Sequence, residues 1–594
     1  MQKNSLSYYD LPPLSIPWRW IYAAIAFFLV AFGQPSWVPG FGLIAACIGY
    51  ALFWRTLLCI SLPSQRFWWS FVWLFCVQLI QISWFISHPY LYIYAVYLFI
   101  AALFGAQFGI IGLFINSKMI SSLWRILTLA SLWAVFEWSR LFILSGFSFN
   151  PVGVVFGGSL YALQMASLGG VFALSFWVFL TNLLALRAWV FTRHISNLTL
   201  WLLVALTPYA FGLIQILNHE KTIESQKLAI KPSSFNALLV QTAFPVEESL
   251  DFNMKHNMIG FVTEEWQKIL TIIEKYQGKP IDLMVLPEFV VPFGTYANIY
   301  AFDEVVSVFH QVLGSESLTA LPSPEWPLGG IVTEEGKENL MVNNAYWVQS
   351  IANVFKTGVI VGLEDAEDKP NKEREYYSAA ILFQTHLPRH ESVNSTPSNI
   401  YLTPNHPYYA ERYEKRVLVP LGEYIPFSFC RELAKQYGVF GSFTPGTEAK
   451  VMQCGKLKIS PSICYEETFG DLIREGREKG AEVLVNLTSD VWYPNSRLPS
   501  QHLEHARFRT VENGVPLIRA CNTGVTAAID SLGRSVAVLG GESPEKVEWI
   551  ADALYVQVPT YSYTTLYSQF GDKLIIGFSL LIILISACFK KFSF

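Results

Sequence analysis

ISPSICYEETFGDLI, residues Ile459–Ile473, sets an apolar run that ends on a cysteine directly against an acidic stretch. The run Lys456–Ile463 reads as a buried strand, Cys464 stands at its end, and Glu466-Glu467 lead into an amphipathic helix over Thr468–Lys479. A strand-to-helix corner exposes the side chain at its apex and sets it near the positive end of the helix dipole, where a thiolate is favoured. A cysteine ending a buried strand is, taken alone, more often a packed small hydrophobe than a nucleophile. Its surroundings decide the fold class. Strands are expected at Ala237–Phe244, Leu283–Leu286, Val359–Leu363, Ala379–Phe383, Val483–Leu487, Leu517–Ala520 and Thr526–Ile529. Helices are expected at Lys255–Tyr276, Tyr346–Phe355 and His502–Glu512. Strands alternating with helices make an α/β fold of layered sheet and helix. Thr295–Asn344, with Pro322, Pro324, Pro327 and Gly329-Gly330, shows no clear periodicity and reads as a surface excursion.

Two more segments pair a strand with a reactive side chain. VLPEF (Val285–Phe289) delivers Glu288 just past Pro287, which stops the strand, and YEKRVLVPLGEYIPF (Tyr413–Phe427) carries Lys415 ahead of an apolar run and Glu423 at the turn beyond. A free thiol is mostly protonated near neutrality, so a base must take its proton or a cation must hold its charge. Glu288 suits the base. Lys415 suits the thiolate and then the oxyanion of a tetrahedral intermediate, with Glu423 orienting it.

Further out, the chain is 594 residues long, 52% hydrophobic and only 15% charged, far fewer charges than the roughly 25% of a soluble domain. Apolar runs lie at Trp20–Phe32, Phe41–Phe53, Phe67–Ile86, Leu91–Ile115, Ile126–Ser145, Ala166–Leu186, Leu198–Leu217 and Leu574–Phe589, most of them near the ~20 residues a membrane span needs. The expected organisation is a seven-helix bundle over 1–217, a globular domain over 218–573, and a closing helix with a short tail over 574–594. Lys3, Arg19, Arg55, Arg66, Lys118, Arg125, Arg187, Arg193, Lys590 and Lys591 all fall on one side of alternating spans, which places both termini in the cytoplasm and the globular domain outside it. A net charge of −4 offers no basic surface for nucleic acid. The eight cysteines lack CxxC or Cys/His spacing, so neither a metal site nor a disulfide framework is expected, and no cofactor is called for. His502 and His505 lack metal-ligand company and read as structural, and Glu137 and Arg140 on the fifth span read equally as a bundle ion pair or as substrate contacts. Trp492, Tyr493, Phe289 and Phe293 suit either an acyl path or plain packing.

The order LPE, then K before LVPxGEYIP, then CYE resembles the nitrilase-like carbon–nitrogen hydrolase superfamily and, within it, the membrane branch of apolipoprotein N-acyltransferases. The run VNLTSDVWYPNSRLPSQHLEHARFRTVENGVPLIRACNTGVTAAIDSLGR (Val485–Arg534) and EWSRLFILSGFSFNPVG (Glu137–Gly153) are similar to that family as well. The resemblance implies an αββα sandwich inserted into an eight-helix membrane bundle, seven helices before it and one after. It implies Glu288, Lys415 and Cys464 as catalytic residues, with Glu423, Tyr465 and Glu466 in support. The implied reaction carries an acyl chain from a membrane phospholipid through a Cys464 thioester to the α-amino group of a diacylglyceryl-cysteine on apolipoproteins, in the bacterial inner membrane, by a monomer. A membrane-tethered amidase using water as acceptor is the alternative. The chain departs from the family in its long Glu288–Lys415 interval, in Ser489 where the family has Asn, and in Tyr376-Tyr377-Ser378 where the family has Tyr-Asn.

Overall fold

The computed structural model describes residues 14–229, 234–245, 257–334, 336–368, 374–385, 410–426, 442–541 and 548–588. Cys430, Lys3, Lys590 and Lys591 lie outside them. The N-terminal half is helical: α1 (Ile16–Ala31), α2 (Pro39–Leu57, with a π turn at Ala45–Gly49), α3 (Pro63–Gln81), α4 (Tyr92–Phe114), α5 (Leu123–Ser139), α6 (Ala166–Val190) and α7 (Ile195–Ala229). Among the described residues four helices are long and apolar enough to cross a membrane: α2, α4, α6 and Ile195–Ser225 of α7; α1 and the closing Lys573–Cys588 are shorter apolar helices. Two expected runs end early. α3 gives way to a 3₁₀ turn at Ser83–Ser87 and α5 to one at Arg140–Phe142, so their last residues belong to loops rather than to spans.

α6 is broken at Gly169 and Gly170, the latter at φ 69°. A Cβ on Gly170 would lie 2.3 Å from the Tyr567 ring, so only glycine allows both the left-handed turn and the close approach. Glu137 and Arg140 bond within the bundle: Glu137 Oε1 accepts from Trp133 Nε1 at 3.0 Å and Val152 N at 2.8 Å, while Arg140 Nε donates to Gln107 Oε1 at 2.7 Å. The pair ties α5 to α4 and to the loop beyond.

The second half carries two six-stranded sheets. One comprises β1 (Ser234–Gln241), β2 (Leu283–Val285), β6 (Gly358–Asp368), β7 (Arg374–Phe383), β8 (Glu411–Glu414) and β15 (Asp552–Pro559), in the order β15-β1-β2-β6-β7-β8. The other comprises β9 (Met452–Cys454), β10 (Leu457–Ile463), β11 (Val483–Thr488), β12 (Leu517–Cys521), β13 (Ala527–Ile529) and β14 (Ser535–Val538), in the order β14-β13-β12-β11-β10-β9. Strand alternation sets the layers. In β1, Phe235, Ala237 and Leu239 meet Val483, Val485 and Leu487 of β11 between the sheets, whereas Leu238 and Val240 face outward onto α8 (Met258–Glu274) and α10 (Asn344–Phe355). On the far side Leu484 meets Ile473 of α11 (Gly470–Glu478) and Leu503 and Ala506 of α12 (Leu498–Asn513). The result is the αββα sandwich that the motifs imply.

Thr295–Asn344, expected as a surface excursion without clear periodicity, has regular elements of its own. It contains β3 (Tyr300–Ala301), α9 (Phe302–Leu313) and the hairpin β4 (Gly329–Glu334) to β5 (Lys337–Val342), in a sheet ordered β3-β5-β4. Val305, Phe309 and Leu313, one helical turn apart, bury the face of α9 against the core beneath.

Candidate active site

The three reactive residues come from strand ends that the two sheets bring together. β2 runs out at Val285, and Glu288 follows Pro287 into a turn that hydrogen-bonds the neighbouring strand, Gly362 N donating to Pro287 O at 3.1 Å and Val290 N to Gly362 O at 3.0 Å. A Cβ on Gly362 would stand 2.6 Å from Glu288 Cα, so glycine is what lets the turn settle there. Lys415 follows β8 directly, and its backbone N donates to Ser378 O at 2.8 Å. Cys464 follows β10 with φ 55°, a left-handed corner uncommon for any residue with a Cβ, and heads a 3₁₀ turn over Cys464–Thr468. Asn486 on β11 steadies the corner from behind, its Nδ2 donating to Cys464 O and to Ser462 Oγ, both at 3.1 Å.

Lys415 Nζ donates to Glu288 Oε1 at 2.8 Å and to Glu423 Oε1 at 2.6 Å, with Lys415 1% and Glu288 4% exposed. Burial pulls the ammonium down, but Glu288, Glu423 and Cys464 outweigh it and hold Lys415 well above its ordinary range. Burial raises the Glu288 carboxyl, opposed by Lys415. The partly exposed Cys464 thiol is held well above its ordinary value, by burial first and by the Glu288 carboxylate second, with Lys415 opposing. The arrangement thus sets the Cys464 corner and the Glu288 turn around one buried lysine, with the Lys415 ammonium bonded to both the Glu288 and the Glu423 carboxylates. Glu423 Oε2 also accepts from Val419 N at 2.8 Å, which fixes the carboxylate that aims Lys415.

Glu466 and Glu467 do not open the helix. α11 begins only at Gly470, and both carboxylates turn inward, each fully buried. Glu466 accepts from Ile463 N (2.8 Å), Arg416 N (2.6 Å), Val417 N (3.1 Å) and Tyr413 Oη (2.9 Å), binding the Cys464 turn to the Lys415 segment. Tyr465 stacks on Phe149 of the bundle, with ring centroids 6.4 Å apart. Tyr493 meets Trp84 edge-on at 4.8 Å and Trp492 stacks on His88 at 5.8 Å, so these two aromatics pack the domain onto the bundle. Asn486, Glu467 and His502 were not singled out in the sequence as site residues. Asn486 leaves no local signal, because its partners, Cys464 O and Ser462 Oγ, lie more than twenty residues away in the chain.

Fold and site together define a carbon–nitrogen-hydrolase-type domain joined to a helical bundle rich in apolar helices. The profile described as Carbon-nitrogen hydrolase matches residues 261–552, and that described as Apolipoprotein N-acyltransferase N-terminal domain matches 28–184. The Apolipoprotein N-acyltransferase of Chlamydia pneumoniae is 31% identical over 92% of this chain and 93% of its own, and that of Chlamydia muridarum is 31% identical over 93% of each. Among solved structures, Saccharomyces cerevisiae Nit3, a member of branch 10 of the nitrilase superfamily, aligns with 55% of this chain and 90% of its own at a TM-score of 0.33 and 16% identity. The chain belongs to the apolipoprotein N-acyltransferase family.

Proposed function

We propose that the protein transfers an acyl chain from a membrane phospholipid to the α-amino group of a diacylglyceryl-modified N-terminal cysteine on apolipoproteins, through a thioester on Cys464. The observation that carries this is Lys415 Nζ, held between Glu288 and Glu423 beside the Cys464 corner. Glu288 takes the thiol proton as sulfur attacks the phospholipid ester carbonyl, and Lys415 holds the oxyanion. The C–O bond breaks, the lysophospholipid oxygen takes the proton back from Glu288, and the thioester remains. The amine of the second substrate then attacks. Glu288 receives its proton, the C–S bond breaks to leave the amide, and the departing Cys464 thiolate takes the proton back from Glu288.

In this reading all eight apolar runs cross the bacterial inner membrane. Both termini are cytoplasmic, the catalytic domain is periplasmic, and the protein acts as a monomer over 1–217, 218–573 and 574–594. Loop charge supports the orientation: the short loops around Gln34–Gly40, Ser87–Pro89 and Gly146–Gly158 carry no Lys or Arg. Anchoring at the membrane confines both lipid substrates to one surface and supplies proximity. Mass spectrometry of a lipoprotein N-terminus produced with the wild type or with Cys464→Ala tests the reaction. A third acyl chain present only with the wild type is expected; ammonia released from small amides with no lipid acceptor consumed would select the amidase instead.

A further inference from the structure

Where the catalytic domain meets the closing helix (Lys573–Cys588), a cavity of about 420 Å³ opens, lined by Arg474 and Glu478 of α11, Gln569 and Phe570 of the short helix Leu566–Phe570, and Lys573 and Leu574. None of Glu288, Lys415 and Cys464 lines it. Gly571, at φ 59°, turns the chain from the short helix into the closing one, and a Cβ there would stand 2.2 Å from Asp471 Oδ1 and 2.6 Å from Arg474 Nε, so glycine lets that ion pair press against the turn. Arg474 is only 5% exposed; its Nε donates to Asp471 Oδ1 at 2.7 Å and its Nη1 to Glu478 Oε2 at 3.0 Å, which fixes the guanidinium and leaves Nη2 without an acceptor among the described residues. The exposed side chains of Lys573 and Gln569 have no ion pair or hydrogen bond among the described residues. Asp572, buried and accepting from Tyr567 Oη at 2.9 Å, adds a further carboxylate to the neighbourhood of Asp471 and Arg474. Below the polar end, Leu574, Phe578 and Leu581 lie at i, i+4 and i+7 on one face of the closing helix, and all three, with Phe570, are exposed.

We infer that this cavity seats the headgroup of a membrane phospholipid that carries both a phosphate and an ammonium, with its acyl chains along Leu574, Phe578 and Leu581. The inference rests on the reading that the closing helix crosses the membrane with Lys573 at the outer face, and it concerns a lipid other than the one consumed at Cys464. A polar pocket at the head of an exposed apolar stripe has the layout of a phospholipid, whereas a free anion would leave the stripe unused. Arg474 Nη2 and the Lys573 ammonium are the donors for the phosphate oxygens. A guanidinium already held by two carboxylates is pre-organised, so little side-chain freedom is lost when the phosphate joins it. The ammonium follows from the acidic wall. Glu478, 61% exposed, lines the same cavity, and Asp471 lies on the other side of the guanidinium, so a headgroup with negative charge alone would meet repulsion that an ammonium opposite Glu478 relieves. Only Phe469 separates α11 from the Cys464 turn, so a lipid bound here ties the segment that carries the nucleophile to the membrane surface.

The test places photoreactive benzoylphenylalanine at Gln569 in the full-length protein, reconstituted in vesicles of equal parts phosphatidylethanolamine and phosphatidylglycerol, and reads the headgroup of the crosslinked lipid by mass spectrometry of the adduct peptide. The same residue at Leu206, exposed on α7, samples bulk lipid. Adducts at Gln569 should favour phosphatidylethanolamine about threefold over those at Leu206, the scale of one exposed ion pair. Lys573→Glu should lower the adduct yield at Gln569 by about threefold or more, Glu478→Gln should bring the headgroup ratio to that at Leu206, and excess inorganic phosphate should change neither. Both substituted side chains are exposed, so thermal unfolding should stay at the wild-type value and serve as the control for folding. Equal headgroup ratios at the two positions, a yield indifferent to Lys573→Glu, or displacement by inorganic phosphate each overturns the proposal, the last by making this a site for the free anion. Adducts at Leu206 with none at Gln569 overturn it as well. The expected crosslinks in a protein that never acylates a lipoprotein would instead refute the transferase reading and leave the lipid site standing.

Discussion

Replacing Glu466 by glutamine changes one atom in the most heavily shared carboxylate of the site. Its oxygens accept from Arg416 N and Val417 N on one side and from Ile463 N and Tyr413 Oη on the other. An amide keeps the shape but offers one acceptor oxygen, so its NH₂ faces either two backbone N–H donors, Arg416 N and Val417 N, or Ile463 N beside a Tyr413 hydroxyl that must turn to accept. Hydrogen bonds to a charged group contribute about 1.5–3 kcal/mol each, and buried donors left unpaired add about 1–3 kcal/mol more, so a loss of roughly 3–6 kcal/mol follows even after relaxation. That is a large share of a typical domain stability of about 5–15 kcal/mol. The loss falls on the joint between the Cys464 turn and the segment carrying Lys415, so the cation should drift from the sulfur before the sheets separate. Acyl loading of Cys464 in mixed micelles should drop by about 100-fold, since small misplacements of catalytic groups have effects of that size. Thermal unfolding, followed by near-ultraviolet circular dichroism, should shift down by roughly 5–10 °C. Glu466→Gln with wild-type loading and wild-type unfolding would refute the view that this carboxylate holds the two halves of the site together.

Glu288→Gln should retain the fold but lose thioester formation by about 100- to 10,000-fold, the usual range for a general base, as read by hydroxylamine-labile acyl label on Cys464. Gly362→Ala forces a Cβ to within 2.6 Å of Glu288 Cα and should lower acyl loading, with a smaller effect on thermal unfolding. Glu512 is pushed up to about 8, by burial first, and only its Oε1 is engaged, by Val171 N at 3.0 Å and Arg509 Nη2 at 2.9 Å. Its folded value lies above its unfolded one, so its contribution is complete below about 4.5 and is lost as pH rises through about 8. Thermal midpoints measured between those pH values should therefore fall as pH rises, and Glu512→Gln should flatten that slope.

The parts of the site that sequence made legible are those written in one local pattern. Glu288 and Cys464 each follow an apolar run whose strand is complete within a few residues, which locates them, but a glutamate after proline or a cysteine at a strand end is weak evidence taken alone, and it is the order of Glu288, Lys415 and Cys464 that carries the reading. Lys415 emerged only together with the other two, because a lysine after a short strand has no signature of its own. The acidic pair after Cys464 misled for a physical reason. Acidic residues ahead of a helix normally complement its dipole from solvent, but here Glu466 meets Ile463 N just before it and Arg416 N and Val417 N from a distant segment, and Glu467 lies beside His502 and Arg519, also distant in sequence. Non-local partners leave no periodicity. In Thr295–Asn344 the opposite happened: α9 has a regular apolar face, but the surrounding prolines and glycines dominated the reading of the whole segment.

α12 shows why this hydrolase-like sandwich is inseparable from its bundle. A helix at the edge of a soluble sandwich buries one stripe and shows solvent the rest. α12 buries Leu503 and Ala506 against the second sheet, and on another side packs Leu498, Phe508 and Val511 into the same apolar core as the bundle helices. Full burial of side chains of that size contributes roughly 1.5–3 kcal/mol each, so the bundle-facing stripe alone would be a substantial exposed liability without the bundle. Between the two apolar faces the helix still has to place His502, Arg509 and Glu512, each of them buried and bonded through part of its polar group. Arg509 Nη1 donates to Thr468 O at 3.0 Å, within the Cys464 turn, and its Nη2 to Glu512, which in turn accepts from Val171 N, the amide that follows the break in α6. A continuous polar line thus runs from the turn that carries the nucleophile to the kinked helix of the bundle. Burying polar groups of this kind is tolerable only while such partners are in place, so this line constrains the Cys464 turn and the bundle to a single relative position.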